Sequence, residues 1–348
     1  MTTRSLGGTT FEPAKRICAS AVLAACFALM ASPARGAQEN NPLPAGPSRD
    51  LSHLQLTSEL RTELGEALNR REYKRAEAIL IEEANRDPKS PRAAQLLVFA
   101  AGIFFLDGQY LNAAISWKKA EAITPLDDPS RFTLAMVYIK LDRRDWARQE
   151  LEKLSLGRPQ NPLYLYWLSR LDYDAQNYAA AIKGLKEAIE FDPKMMRAYD
   201  TLGLCYDYLG QFDEAIRYYR SAVTLNRSER QPSPWPHLNL AMSLISVNQL
   251  SDAENSLREA LRYDPKLPQA HYQLGRVLEM QGEYQAAVPE LKEAMQNDPS
   301  FAEPHFLLGR IYQRLGEHDL AQKEIGLYQE LKMAQQSAPA NRSAPGPN

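Results

Sequence analysis

The chain has 348 residues, 44% of them apolar and 24% charged, with a formal net charge of −2 at pH 7. That composition belongs to an ordered, water-facing protein, and the near-neutral balance excludes bulk attraction to nucleic acid or to an anionic membrane surface. Of three cysteines, Cys18 and Cys26 fall near the start, so Cys205 stands alone downstream and a disulfide framework is excluded there.

The first 37 residues read as an export signal. Arg4, Lys15 and Arg16 give a positive start, Ile17 to Met30 carry no charge, and the small-residue stretch ASPARGA follows. That order is n-region, h-region and cleavage site, with cutting after Ala34, Gly36 or Ala37. The apolar run is shorter than the ~20 residues that span a bilayer, which argues against an uncleaved anchor. Leu23 to Cys26, LAAC, resembles the lipobox of bacterial lipoproteins, although the apolar residues Phe27 to Met30 continue past it. The expected location is therefore the periplasm or cell envelope, with an outer-membrane lipoprotein carrying lipid on Cys26 as the alternative. Residues 38–56, Pro- and Asn-rich at first, are expected to form a flexible linker.

From residue 57 onward one pattern recurs. The stretch from His271 to Pro299 has helical apolar spacing, and 34 residues later His305, Leu308, Gly309, Gly316 and Ala321 repeat His271, Leu274, Gly275, Gly282 and Ala287. One step back lie His237, Leu240, Ala241 and Ala253. A fixed period of this size marks a repeat array. Units fall near 57–90, 91–127, 128–161, 162–195, 196–229, 234–267, 268–301 and 302–335. In the unit from Met196, the residues Tyr199, Leu202, Gly203, Tyr206, Gly210, Ala215, Tyr219 and Ala222 all stand in register.

These units resemble tetratricopeptide repeats, whose signature is large-x2-Leu-Gly/Ala-x2-Tyr in a first helix, Ala-x3-large-x2-Ala in a second, and proline at the end. The resemblance implies an all-α fold, a right-handed superhelical α-solenoid of about eight helix-turn-helix units. Gly203, Gly275 and Gly309 are expected where two helices cross closely, and Gly108, Gly210, Gly282 and Gly316 where a first helix ends left-handed. Asp87-Pro88, Asp192-Pro193, Asp264-Pro265 and Asp298-Pro299 should close second helices, because proline disfavours helix at the residue before it. Pro289, inside a second helix, is expected to bend it.

Two breaks in spacing stand out. The first helix through Val98 to Leu106 reads about a turn too long, and Arg227 to Pro234 insert four residues as a polar loop. Each reads as a tolerated insertion or as a hinge. The last helix, Leu320 to Met333, has no following unit, and Gln322, Lys323, Gln329 and Glu330 suit a cap. Residues 336–348, rich in Ala, Pro, Ser and Asn, are expected to form a disordered tail.

Within each first helix, positions 4, 7, 8 and 11 cluster on one side, and positions 2, 5, 9 and 12 on another. By the resemblance, the second set lines the concave groove. It contains Phe132, Tyr166, Arg170, Trp235, Tyr272, Arg276, Phe306 and Arg310, with an aromatic at position 5 and arginine at position 9 in three units. Rigid rings and forked guanidinium donors suit an extended, acidic peptide. The competing reading packs the rings on neighbouring helices and leaves the arginines solvated. The groove lacks the Lys and Asn of the carboxylate-clamp pattern.

His237, His271 and His305 recur at position 4, one repeat apart. Packed helices lie 8–10 Å from axis to axis, whereas zinc needs nitrogens near 2.0–2.1 Å, so no shared metal site follows. Cys205, on a helix, reads as a buried small apolar residue. There is no phosphate loop, no CxxC and no HExxH, so neither a catalytic constellation nor a cofactor site is predicted. The expected function is a non-catalytic protein-binding scaffold without nucleic-acid partners. A glycan-binding or enzyme-associated envelope protein is the alternative, and self-association through a solenoid end or the Pro232–Pro236 region is a third reading.

Overall fold

A computed structural model describes residues 51–337, which hold sixteen α-helices, a 3-10 turn at Ser52–Leu54 and no strand. The expected signal, its cleavage site, Cys26 and the tail beyond residue 337 lie outside the described residues. The helices pair as α1 (Ser58–Asn69) with α2 (Tyr73–Arg86), α3 (Pro91–Leu106) with α4 (Tyr110–Glu121), and α5 (Asp128–Lys140) with α6 (Arg144–Gly157). Next come α7 (Pro162–Asp174) with α8 (Tyr178–Phe191), and α9 (Met196–Tyr208) with α10 (Phe212–Asn226). The last three pairs are α11 (Trp235–Ser246) with α12 (Leu250–Tyr263), α13 (Pro268–Gln281) with α14 (Tyr284–Asn297), and α15 (Glu303–Leu315) with α16 (His318–Ser337). Each helix packs on its predecessor and its successor, and from α7 to α15 the odd-numbered helices also touch one another across pairs. The result is an all-α superhelical repeat array.

Local chemistry sets the boundaries. Side-chain oxygens of Thr57, Ser90, Asp127 and Asn161 accept backbone N–H bonds at the starts of α1, α3, α5 and α7. Pro91, Pro162 and Pro268 occupy first-turn positions whose N–H would be unpaired anyway. Five second helices end at a residue outside helical backbone before proline: Asp87, Arg158, Asp192, Asp264 and Asp298. The chain then turns into the next pair. Pro289 lies inside α14, which runs unbroken from Tyr284 to Asn297.

Counted from 57, 94, 128, 162, 196, 234, 268 and 302, two positions hold throughout. Position 20 is alanine in all eight pairs (Ala76, Ala113, Ala147, Ala181, Ala215, Ala253, Ala287, Ala321), each at most 2% exposed. Position 15 has a positive φ in all eight. Four of these are glycines, Gly108, Gly210, Gly282 and Gly316, and four are Arg71, Asp142, Gln176 and Asn248. The left-handed turn between paired helices is therefore set by the repeat geometry even where no glycine marks it.

Close crossings also behave as expected, with one exchange. A Cβ on Gly275 would lie 2.8 Å from Leu291 Cδ2, one on Gly309 2.8 Å from Ile325 Cγ1, and one on Gly203 would overlap the Tyr219 ring. In the fourth pair, position 8 is Ser169, and the missing space is found opposite. Gly184 on α8 faces Ser169 Oγ, where any Cβ would collide. The small residue has moved to the other helix.

Both spacing breaks are accommodated. Helix α3 has 16 residues against 13 in α5, one extra turn, as the sequence suggested. The insertion after α10 is clamped: the fully buried Asn226 donates to the Ser233 carbonyl at 2.8 Å and accepts from the Ser233 N–H at 2.8 Å. At the C-terminal end, Lys332 Nζ meets Glu303 at 2.6 Å and Gln335 donates to the Ser300 carbonyl, tying α16 back to α15.

Two boundaries differ from the expected ones. Residues 51–56, expected to belong to the linker, are docked on the first pairs, and residues 38–50 lie outside the described residues. Leu51, Leu54 and Leu56 are 7%, 1% and 5% exposed and belong to the apolar core of the first pairs. A period-3 then period-2 placement of leucines in a six-residue segment gives no helix or strand signal, so apolar docking there was not readable as structure. At the other end, residues 336–337, assigned to the tail, continue α16.

Candidate functional site

The odd-numbered helices carry the face on which partner contacts were expected, and the structure divides the eight candidate residues sharply. Phe132 and Tyr166 are only 6% and 7% exposed. The Phe132 ring packs on Tyr164, and Tyr166 meets Trp167 edge-on. Both rings are already buried, Phe132 against the next first helix and Tyr166 beside Trp167 of its own helix, so they form the wall of the face and offer little to a ligand. Trp235, at the start of α11, is half-buried. Arg170 pairs with Asp174 at 3.3 Å and lies over the Tyr173 ring, its side chain 13% exposed.

The C-terminal four behave differently, because they come together. Burial pushes the Tyr272 hydroxyl upward; Arg276 and Arg310 oppose that shift, while Glu303 and Tyr328 add to it. Four charged or polar groups from α13, α15 and α16 therefore act on Tyr272. Its ring packs edge-on against Phe301. Phe306 leans on Tyr328 at 5.2 Å yet keeps 44% of its surface exposed. Arg310 Nη2 reaches back one repeat to Glu279 at 2.7 Å. Arg276 has only a long 3.4 Å contact to Gln273. The cluster is thus an exposed ring beside three cations, Arg276, Arg310 and Lys332, and two glutamates, with Glu279 paired to Arg310 and Glu303 to Lys332.

Between these regions lies a feature the sequence reading missed. Asp200 and Asp207 occupy positions 5 and 12 of α9, on the same face. Asp200 accepts from Asn239 Nδ2 at 3.1 and 3.3 Å. Asp207 accepts from Ser243 Oγ at 2.6 Å and from Tyr219 OH at 3.1 Å. Asn239 and Ser243 belong to α11, so two carboxylates of one repeat clasp the next. Asn239, Ser243 and Tyr219 are neutral donors, and burial pushes each carboxyl up to about 6, with Arg170 pulling Asp200 the other way and Asp200 raising Asp207. A carboxylate on a helix reads as a solvated face, and only the identity of the next repeat's residues at positions 6 and 10 could have flagged it.

The recurring histidines do structural work in pairs. His271 Nδ1 lies 2.8 Å from Glu290 and His305 Nδ1 2.6 Å from Glu324, each 19 residues apart. Arg131 and Glu150, also 19 apart, meet at 2.5 Å in the third pair. Position 4 therefore couples to position 23 across the two helices of a repeat. At His237 the equivalent residue is Ser256; the imidazole is 3% exposed, its Nε2 is unpartnered, and burial lowers its pKa. The Glu290 hydrogen bond raises that of His271. Cys205 is buried, and burial pushes its thiol up to about 12, far from nucleophilic use at neutral pH. Among the described residues no group of three His, Cys, Asp or Glu could hold a metal ion, and no described helix is long and apolar enough to cross a membrane.

Comparison with known proteins agrees with this geometry. Residues 201–229, 238–302 and 278–335 match the tetratricopeptide repeat family, so the C-terminal repeats are tetratricopeptide repeats. The BBSome complex member BBS4 of Bos taurus is 27% identical over 207 residues, 56% of this chain and 38% of that protein. The BBS4 homolog of Drosophila melanogaster is 24% identical over 165 residues, 44% of this chain and 33% of that protein. The chain thus matches little more than a third of the length of these relatives. Among solved structures, a tetratricopeptide repeat protein from Parabacteroides merdae has a TM-score of 0.57 at 18% identity, covering 73% of this chain and 97% of that one. The APC/C hetero-tetramer Cut9-Hcn1 has a TM-score of 0.55 at 14% identity, covering 72% and 55%. The type IV pilus biogenesis factor PilW has 0.54 at 19%, covering 61% and 95%. At these identities the structural likeness is one of fold.

Proposed function

We propose that the chain is a non-catalytic protein-binding scaffold of the bacterial cell envelope, and that the α13–α15 end of its first-helix face receives an extended segment of a partner protein. The observation that carries this reading is Phe306. It is an aromatic ring 44% exposed, on a face where the other position-5 rings are buried or half-buried. It sits one turn from Arg310 and one repeat from Tyr272 and Arg276. Exposed aromatics flanked by arginine are the residue types that dominate protein interfaces. The BBS4 relatives, named as members of the BBSome complex, support a role in assemblies. The envelope assignment rests on the charged, apolar and small-residue order of residues 1–37.

The partner's chemistry follows from the charge count. Glu279 already holds Arg310, and Lys332 already holds Glu303. An acidic group of the partner binds Arg310 by exchanging with Glu279, beside Arg276, whose 3.4 Å contact is to the neutral Gln273. The partner segment therefore contributes an apolar or aromatic anchor over Phe306 first, and a carboxylate second.

The test is capture of envelope proteins by the full chain beside Phe306→Ala and Arg276→Ala/Arg310→Ala versions. The Phe306 variant should lose most of the bound protein, and the double arginine variant part of it. Raising salt about tenfold should weaken wild-type binding only modestly, since the ion pairs it screens are exchanged and not created. Equal recovery by all three chains would refute the reading. Mass spectrometry of the natural N-terminus separately tests export, by showing cleavage near Ala34 to Ala37, a lipid on Cys26, or neither.

A further inference from the structure

The first repeat already shows what an occupied face looks like. Gly65 and Arg61 are positions 9 and 5 of α1, equivalent to Arg310 and Phe306 in the last repeat. Both are touched by residues 51–56 of the same chain, although Arg61 stays exposed and Gly65 half-buried. Leu51 Cδ1 lies 3.9 Å from where a Gly65 Cβ would be. Arg61 Nη2 donates to the Leu56 carbonyl at 3.1 Å. His53 packs its ring against Phe99 of α3, with centroids 6.1 Å apart. Three leucines are buried, while Ser52, His53 and Gln55 between them are exposed.

Within the strap, the 3-10 turn has its own Leu54 N–H to Leu51 carbonyl bond at 3.2 Å. Gln55, which closes that turn, has φ +51°, a left-handed conformation that costs a non-glycine residue energy. Leucine burial in the strap thus works against local strain. Gly65 matters to this fit. Where other units place arginine at position 9, this one has no side chain, and the space goes to Leu51.

We infer that the α1–α3 end of the first-helix face is a binding site for short, turn-forming segments with leucines spaced as in Leu51, Leu54 and Leu56, and that the chain's own strap occupies it in cis. This rests on the proposed role of the first-helix face, and it names an apolar, leucine-bearing class of ligand for its N-terminal end. A competing segment of the same pattern binds by displacing the strap. The cis copy, being tethered, has the advantage of effective concentration, so the site stays closed to weak ligands.

The test uses the full chain and a fluorescein-labelled synthetic peptide of residues 49–57, read by fluorescence anisotropy. A Leu51→Ser/Leu54→Ser/Leu56→Ser chain should bind the peptide at least about tenfold more tightly than wild type, and a scrambled peptide should not bind either chain. Adding Gly65→Arg to the leucine variant should abolish the gain. Hydrogen exchange of α1 and α2 is measured alongside. If those helices lose protection, Leu54→Ala replaces the triple variant, and the same ordering of affinities is required of it. A chain with α1 protected that binds the peptide no better than wild type overturns the inference and leaves the strap a plain end cap. The Phe306 and arginine variants report on the opposite end, so failure here and failure there are separate results.

Discussion

At Gly275 two effects of similar size oppose each other, and geometry decides between them. Alanine in a helix interior is favoured over glycine by about 1 kcal/mol. Against that, a Cβ at Gly275 would lie 2.8 Å from both Leu291 Cγ and Cδ2 and 3.4 Å from the Ala287 carbonyl. Leu291 is fully buried, and Ala287 is backbone, so neither yields freely. Overpacking of this kind costs about 1–3 kcal/mol. Gly275→Ala should therefore lower stability in a urea melt, while Gly102→Ala, with nothing within 4 Å of its Cβ, should be neutral or stabilising. Equal effects of the two would show that the crossing is not tight. The crossing glycines were legible because the period placed them together. Phe132 and Tyr166 were not, since position 5 is exposed or buried according to what the next repeat's first helix presents. The left-handed turns at Arg71 and Gln176 were hidden for a simpler reason: those residue types do not signal positive φ.

Elements show the same division between what a period reveals and what a neighbour decides. Helix number, pairing and the long α3 follow from spacing alone. The loop after α10 does not, because a polar stretch with two prolines reads equally as hinge or spacer. The deciding contact is Asn226, which bonds both the N–H and the carbonyl of Ser233. It closes an otherwise free insertion and fixes where α11 begins. Asn226→Ala would leave a buried backbone pair unmet, a cost of about 1–3 kcal/mol. The expected outcome is faster hydrogen exchange at the start of α11 with α13–α16 unchanged, so that the damage stays at one junction. Uniformly faster exchange across all helices would mean that the loop governs the array as a whole. The strap at Leu51–Leu56 escaped the sequence reading by the same logic, since its three leucines acquire meaning only against α1 and α3.

For the whole molecule, stability in a repeat array is a sum of repeat and interface contributions, so one altered interface can set the behaviour of the chain. The α9–α11 interface is where pH acts. Asp200 and Asp207 hold their protons up to about pH 6, against an ordinary 3.8, because burial disfavours the charged form. Between those values the folded chain binds more protons than the unfolded chain, so stability rises as pH falls through about 6 and levels off below 3.8. His271, raised by Glu290, acts in the same direction: its contribution is present below 6.5 and lost as pH climbs through its folded value. His237 opposes both, since its buried neutral ring is destabilising once solution pH would protonate it. The two carboxyls outnumber it and share one junction, so mild acid should tighten the array there. Asp200→Asn separates this from the histidines. The amide oxygen still accepts from Asn239 but carries no charge to bury. At about pH 7.5 the variant should be more stable than wild type by about 1–2 kcal/mol, allowing for the partial exposure of the group. That advantage should shrink towards zero near pH 4, where the natural carboxyl is itself protonated. Melting profiles across that range decide the matter: parallel curves for the two chains would mean that the clasp is ionised throughout and that acid acts elsewhere.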